Sequence, residues 1–215
     1  MSKPLDKRRT RSVRLASQAV VAEHRAGNVY LRSPHPLAEY PRRITERLDH
    51  WAEHAPERVF LAQRGPDGAW LHLTYAQARS RARRIAQALI ERRLSAERPV
   101  SVLSGNDIEH ALIQLGALYA GVPYAPVSPA YSLLSKDFAK LKHVMRVLTP
   151  GLVFASQREP FKSAIAAAVP GSIEIIHGDE FHMLEAKAPT SAVDEAHARV
   201  GPDTIAKFLF TSGST

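Results

Sequence analysis

The sequence predicts an α/β fold, a mostly parallel sheet flanked by helices, over about residues 99–210. Two observations carry this. After Pro99, short apolar runs (Val100–Leu103, Tyr124–Val127, Leu152–Ala155, Ile173–Ile176) recur with helix-length segments between them, and such alternation implies βαβ units. The runs are apolar throughout rather than at every second residue, as strands buried on both faces require.

The elements follow in order. Residues 1–27 read as a basic, disordered tail, and Ser33-Pro34-His35-Pro36 breaks any regular element because each proline removes a donor and fixes φ. Arg42 to His54 reads as a helix with Ile44, Leu48 and Trp51 on one stripe, ended by Pro56. Val59–Ala62 and Trp70–Leu73, with Asp67-Gly68 between them, read as a hairpin. Thr74 and Gln77 have capping-box spacing and open a long helix to about Arg93, with Ala82, Ile85, Ala86 and Leu89 inward. Beyond Pro99, the helices are expected at Asn106–Tyr119, Asp137–Leu148 and Phe161–Val169. Residues 178–203 read as a polar, irregular connection, and Ala206–Phe210 as a buried strand.

Charge and composition exclude several functions. Of the net charge of +8, the excess lies at the front: eleven Lys/Arg against four Asp/Glu up to Arg47, eighteen against seventeen beyond it. That basic stretch has no aromatic before Tyr30, so it lacks the interleaved aromatics of a nucleic-acid surface, and no nucleic-acid partner is expected. No apolar run approaches the ~20 residues that span a bilayer, and no membrane partner is expected. Cysteine is absent, which excludes disulfides and thiolate chemistry and suits a cytoplasmic setting. His50-Trp51-Ala52-Glu53-His54 has the spacing of a zinc-protease motif, but no third ligand follows it, and no metal site is expected there or at His177 and His182. Ser104-Gly105-Asn106-Asp107 follows a strand and opens a helix. It reads as a turn with an Asn106 or Asp107 cap, at a place where α/β sheets also put ligand loops.

The last residues carry the chemistry. A strand followed by Thr211-Ser212-Gly213-Ser214-Thr215 offers hydroxyls and successive N–H groups that can wrap phosphate oxygens, with glycine allowing close backbone approach. It does not match the Walker pattern. Phe208 to Thr215 resembles the opening of the phosphate loop of adenylate-forming (AMP-dependent) acyl-CoA synthetases. Leu73-Thr74-Tyr75 and Leu118 to Pro129 resemble earlier motifs of that superfamily. Tyr30 to Leu37, Ser104-Gly105-Asn106 with Glu109 to Leu112, and Pro126 to Ser132 with Asp137 to Lys142 resemble feruloyl-CoA synthases in particular.

The resemblance implies that residues 28–215 are the incomplete N-terminal domain of such a synthetase. It implies an acid–thiol ligase using ATP, Mg and CoA, which adenylates an aromatic carboxylic acid, a hydroxycinnamate such as ferulate, and passes it to CoA. Thr211 to Thr215 would be part of the ATP phosphate loop. The remaining nucleotide motifs and the catalytic C-terminal parts would lie past Thr215, so no catalytic residue is expected within the chain. A boundary inside such a loop is unusual, since domains end in exposed linkers, and the chain is expected to be a fragment, inactive alone. The other reading is a truncated, non-catalytic α/β module or decayed product.

The 215-residue chain is therefore expected not to bind ATP usefully. A charge-assisted hydrogen bond contributes ~1.5–3 kcal/mol, and ordering five loop residues costs ~1–2 kcal/mol each. These roughly cancel, leaving nothing for the ~4 kcal/mol that millimolar affinity demands. Titration calorimetry should show no saturation at micromolar ATP, and saturation there would defeat this expectation.

Overall fold

A computed structural model describes residues 19–211. The chain falls into two units, residues 1–40 and 41–215.

In the first unit, β1 (Val21–Arg25) and β2 (Asn28–Arg32) form an antiparallel hairpin, in register from Val21 opposite Arg32 to Arg25 opposite Asn28. This corrects the expectation of a tail up to residue 27. Ala26 and Gly27 make the two-residue turn, both at positive φ (48° and 81°), as a primed hairpin turn demands. Glu23 pairs with Arg25 and, at 3.1 Å, with Arg32, and the Arg25 guanidinium lies over the Tyr30 ring. Ser33 to Pro36 is irregular, as the prolines dictate. The expected tail over residues 1–18 lies outside the described residues.

The second unit begins with α1 (Thr45–His54). Its inward stripe is rotated from the expected one: Thr45 and Leu48 are buried, whereas Ile44 and Trp51 are exposed. The hairpin of β3 (Val59–Arg64) and β4 (Trp70–Thr74) follows, turning at Gly68. Arg64 reaches back over the Trp70 ring at 4.1 Å. At α2 (Tyr75–Glu91) the capping box forms as its spacing predicts: Thr74 Oγ1 accepts from the Gln77 N–H, and the Thr74 N–H donates to Gln77 Oε1 at 2.9 Å.

The main sheet comprises β5 (Val100–Leu103), β6 (Tyr124–Pro126), β7 (Leu152–Ala155) and β8 (Glu174–His177), all parallel, in the order β6-β5-β7-β8. The crossovers are α3 (Ile108–Ala120), then a short α4 (Pro129–Leu133) with α5 (Ala139–Leu148), then α6 (Arg158–Ala168). Because the chain steps from β5 to β6 and then back past β5 to β7, its helices cover both faces. Val100, Val102, Leu152 and Phe154 face α2 and α3, and Leu103, Val153 and Ala155 face α5 and α6. The period of two that the apolar runs conceal reappears as two separate cores.

The stretch 178–203, expected as irregular, holds a 3₁₀ helix (Gly178–Leu184) and α7 (Ser191–Arg199). Phe181, Leu184 and Val193 complete the core on the α2 side. Few apolar residues are needed because polar ones fasten these elements to α2. Buried Gln87 accepts from both the N–H and the hydroxyl of Thr190, the cap of α7. Arg81 makes two bonds to the Glu185 carboxylate, the shorter 2.6 Å, and Arg83 pairs with Asp194; just past α2, Arg92 likewise holds Glu174 of β8 with two bonds of 2.9 Å. Exposed pairs contribute ~0–1 kcal/mol each, so these fix position more than they add stability.

α2 and α3 approach closely at Gly116. A Cβ on Gly116 would meet Ile85 Cγ2 at 2.5 Å and the Ala82 carbonyl at 3.1 Å. Gly116→Ala should therefore lower stability by ~1–3 kcal/mol, the usual cost of overpacking, measured by urea unfolding. Gly105→Ala, whose Cβ would enter open space, should unfold close to wild type. Equal midpoints for the two variants would refute the tight contact.

Candidate functional site

The segment 206–210 does not become the expected buried strand. It makes one parallel bridge, Lys207 to Tyr124. The Phe208 N–H donates to the Tyr124 carbonyl at 3.0 Å, and the Tyr124 N–H donates to the Ala206 carbonyl. Leu209 and Ile205 are exposed, because the segment lies along the outer side of β6 at the sheet edge. Its direction is parallel to the sheet, so it delivers Thr211, exposed, to the carboxyl ends of the strands. That is where open α/β sheets bind ligands. Ser212, Gly213, Ser214 and Thr215 lie outside the described residues.

The loop after β5 ends at the same edge. There Asp107 alone caps α3, its Oδ1 accepting from the His110 N–H at 2.7 Å, and Ser104 donates to its other oxygen. Gln63 of β3 accepts from the Ile108 N–H at 2.7 Å, and the His110 ring bonds the Gly105 carbonyl at 2.9 Å. The polar groups of Ser104, Asp107 and His110 thus brace the turn, and Asn106 is not the cap.

Beside Lys207 is a cavity of about 280 Å³ whose polar lining includes Arg42, Arg43, Gln114, Tyr124 and Thr204. Arg43 is committed to Glu46 at 3.1 Å and to the His197 carbonyl at 2.7 Å. Burial pushes the Tyr124 phenol up, so it stays protonated at neutral pH.

The His50 and His54 rings engage each other. They stack at 4.1 Å, and His54 Nδ1 bonds the His50 carbonyl. The His177 backbone N–H donates to Glu180 at 3.1 Å, and the ring Nδ1 is buried without a hydrogen-bond partner. The backbone bond, with Arg158 beside it, holds the Glu180 carboxyl below the usual range. Among the described residues no three His, Asp or Glu side chains gather as a metal site, and no helix is long and apolar enough to cross a membrane.

Sequence reasoning missed a polar cluster joining α1, α2, α3 and α7. Tyr119, fully buried, donates its hydroxyl to Asp49 at 2.5 Å. Arg79 Nε lies 2.9 Å from the same carboxylate, in ion-pair contact but off the hydrogen-bond direction. The His197 ring packs on Tyr119, and its Nε2 bonds Thr45 Oγ1 at 2.7 Å. Burial above all, then Arg43, lowers the His197 pKa below its ordinary 6.5, with Asp49 opposing and Arg83 adding to it. The only sequence signal was Thr45 and Asp49 at inward positions of a helix.

The AMP-binding enzyme family matches residues 48–215. The chain belongs to that family. A linear gramicidin synthase of Brevibacillus parabrevis is 28% identical over 172 residues, 80% of this chain and 3% of that protein. The fold is similar to that of a fatty acyl-adenylate ligase from L. pneumophila, crystallised with acyl adenylate and pyrophosphate (TM-score 0.61, 22% identity, 81% of this chain and 29% of that one). It is also similar to a Mycobacterium tuberculosis fatty acyl CoA synthetase (TM-score 0.62, 22% identity, 80% and 33%). The α/β architecture is thus that of the N-terminal domain of adenylate-forming enzymes, and the chain spans a third or less of each of these three relatives' length.

The lowered pKa of His197 has a consequence for stability. The unfolded chain takes up a proton near pH 6.5, whereas the folded chain resists it. The contribution is therefore present above pH 6.5 and is lost as pH falls through the lower folded value. Thermal midpoints should fall between pH 6.5 and 5, and His197→Gln should flatten that slope. An unchanged slope in the variant would assign the effect elsewhere.

Proposed function

We propose that this chain is the front portion of an ATP-dependent acid–thiol ligase. The observation that carries the reading is the family match through residue 215, together with a chain path that brings Thr211 to the carboxyl edge of the sheet. In this reading, Thr211 to Thr215 supply hydroxyl and N–H donors to the phosphates of Mg-ATP, and glycine lets the backbone approach them. The nucleotide supplies the adenylyl group: a carboxylate oxygen bonds to the α-phosphorus, and pyrophosphate leaves. The CoA thiol then takes the acyl carbon, and AMP departs. Donors fixed in advance stabilise charge on the leaving phosphates.

The acid we assign is a hydroxycinnamate such as ferulate, on the strength of the three stretches around Tyr30, Ser104 and Pro126. An amino acid is the second reading, favoured by the likeness to proteins named as linear gramicidin, tyrocidine and indigoidine synthases. Pyrophosphate release by the protein that carries this chain, offered ferulate, a fatty acid or amino acids, with and without CoA, separates them. Ferulate-dependent release and a feruloyl thioester are expected. Release with an amino acid and no CoA thioester would establish the second reading. No acid-dependent release would defeat adenylation altogether.

A further inference from the structure

The cavity beside Lys207 has a one-sided lining. Arg42, Arg43 and Lys207 contribute to its wall, and no Asp or Glu does. Arg43 is neutralised by Glu46 at 3.1 Å. Arg42 and Lys207, both exposed, have no carboxylate partner among the described residues. A concave surface with one sign of charge and low-dielectric walls concentrates its field and draws in counter-ions. α1 begins in the same wall without a side-chain cap, which adds the positive end of a helix.

Two neutral polar side chains also line this space. Tyr124 is only 4% exposed, yet among the described residues its hydroxyl has no hydrogen-bond partner. The Gln114 amide is likewise uncommitted. Buried polar groups are normally hydrogen-bonded, and a phenol that burial keeps protonated can donate to an anion. Much of the remaining wall is apolar, with Leu118, Val122 and Val200 among it. A few polar groups converging in a largely apolar cavity are the mark of a small-molecule site, and a volume of about 280 Å³ admits only a small one.

We propose that this cavity binds a small carboxylic acid with an apolar body. Its carboxylate would lie between Arg42 and Lys207 and accept from the Tyr124 hydroxyl, and its body would rest on Leu118 and Val122. Inorganic phosphate would satisfy the cations but leave the apolar wall wet. The site is distinct from the phosphate loop. Tyr124 opens β6 and bridges to Lys207, at the amino end of the strands, whereas Thr211 is delivered to their carboxyl end. The walls are residues 42–45, 114–124 and 200–207, already tied to one another. His197 holds the end of α7 to Arg43 and Thr45, and the Tyr124 backbone holds Ala206 and Phe208.

Fluorine NMR titration of the 215-residue chain with fluorobenzoate tests this, with fluorobenzamide as the neutral counterpart and inorganic phosphate as competitor. Saturable binding of fluorobenzoate alone is expected, undisturbed by equimolar phosphate. Tyr124→Phe should weaken it about tenfold, and Arg42→Gln with Lys207→Gln by at least as much, while both variants melt with wild type. No ATP or CoA enters the titration, so its outcome is independent of the ligase reading. Absence of saturation, or binding indifferent to these variants, would overturn the proposal. Equal binding of the benzamide, or displacement by phosphate, would overturn the ligand class. Repeated on the longer protein that carries this chain, the titration should again reveal a site sensitive to the same variants. Its disappearance there would show that the rest of the protein fills the cavity, and the proposal would fail.

Discussion

At Gly116 the backbone of α3 comes so near Ile85 that a side chain cannot fit between them, and the whole α2 face of the sheet is arranged around that approach. With α3 held this close, Leu112 and Ile113, one turn earlier on the same side of the helix, are fully buried in the core. Its end is fixed by Gly121 in the left-handed conformation, where a Cβ is costly. The turn into β6 follows, and through it the edge along which residues 206–210 run. The position of Thr211 thus depends, through several rigid links, on a contact between two helices on one face of the sheet.

The parts of this fold legible in the sequence were those written in one continuous stretch. Val100–Leu103 and Leu152–Ala155 read as strands because burial on both faces leaves no polar residue to confuse the pattern, apart from Ser101. The Thr74 and Gln77 cap was legible because both partners lie within one turn. The parts that were not legible depend on partners far away. The rotated face of α1 is polar at Thr45 and Asp49, and it goes inward because His197 and Tyr119 satisfy it. Thr45 and His197 are 152 positions apart. Reading by apolar residues alone therefore chose Ile44 and Trp51. The hairpin at 21–32 escaped notice because Ala26 stands where asparagine or glycine would signal a turn. For the candidate site, the destination of Thr211 was implied by the strand–loop order, and the polar cluster around Tyr119 was not.

Arg79, Arg81 and Arg83 on α2, and Arg92 just past it, each face a carboxylate. Where a carboxylate lies opposite, as at Glu185, the planar guanidinium makes two bonds and fixes a segment that has little apolar surface of its own. On α5, where lysine predominates, the cations face outward. Composition alone, a net charge of +8, does not reveal that several charges on α2 are internal fastenings.

The distance in sequence between α2 and its fasteners sets an order of events during synthesis. Arg81 and Glu185 are 104 residues apart, and ribosomes add roughly 5–20 residues per second. The nascent chain therefore carries its arginine-rich helix for about 5–20 s before the acidic segment that clasps it has been made. During that interval Arg79 can already face Asp49 of α1, whereas Arg81 and Arg83 wait for Glu185 and Asp194, and the acidic segment closes over them last.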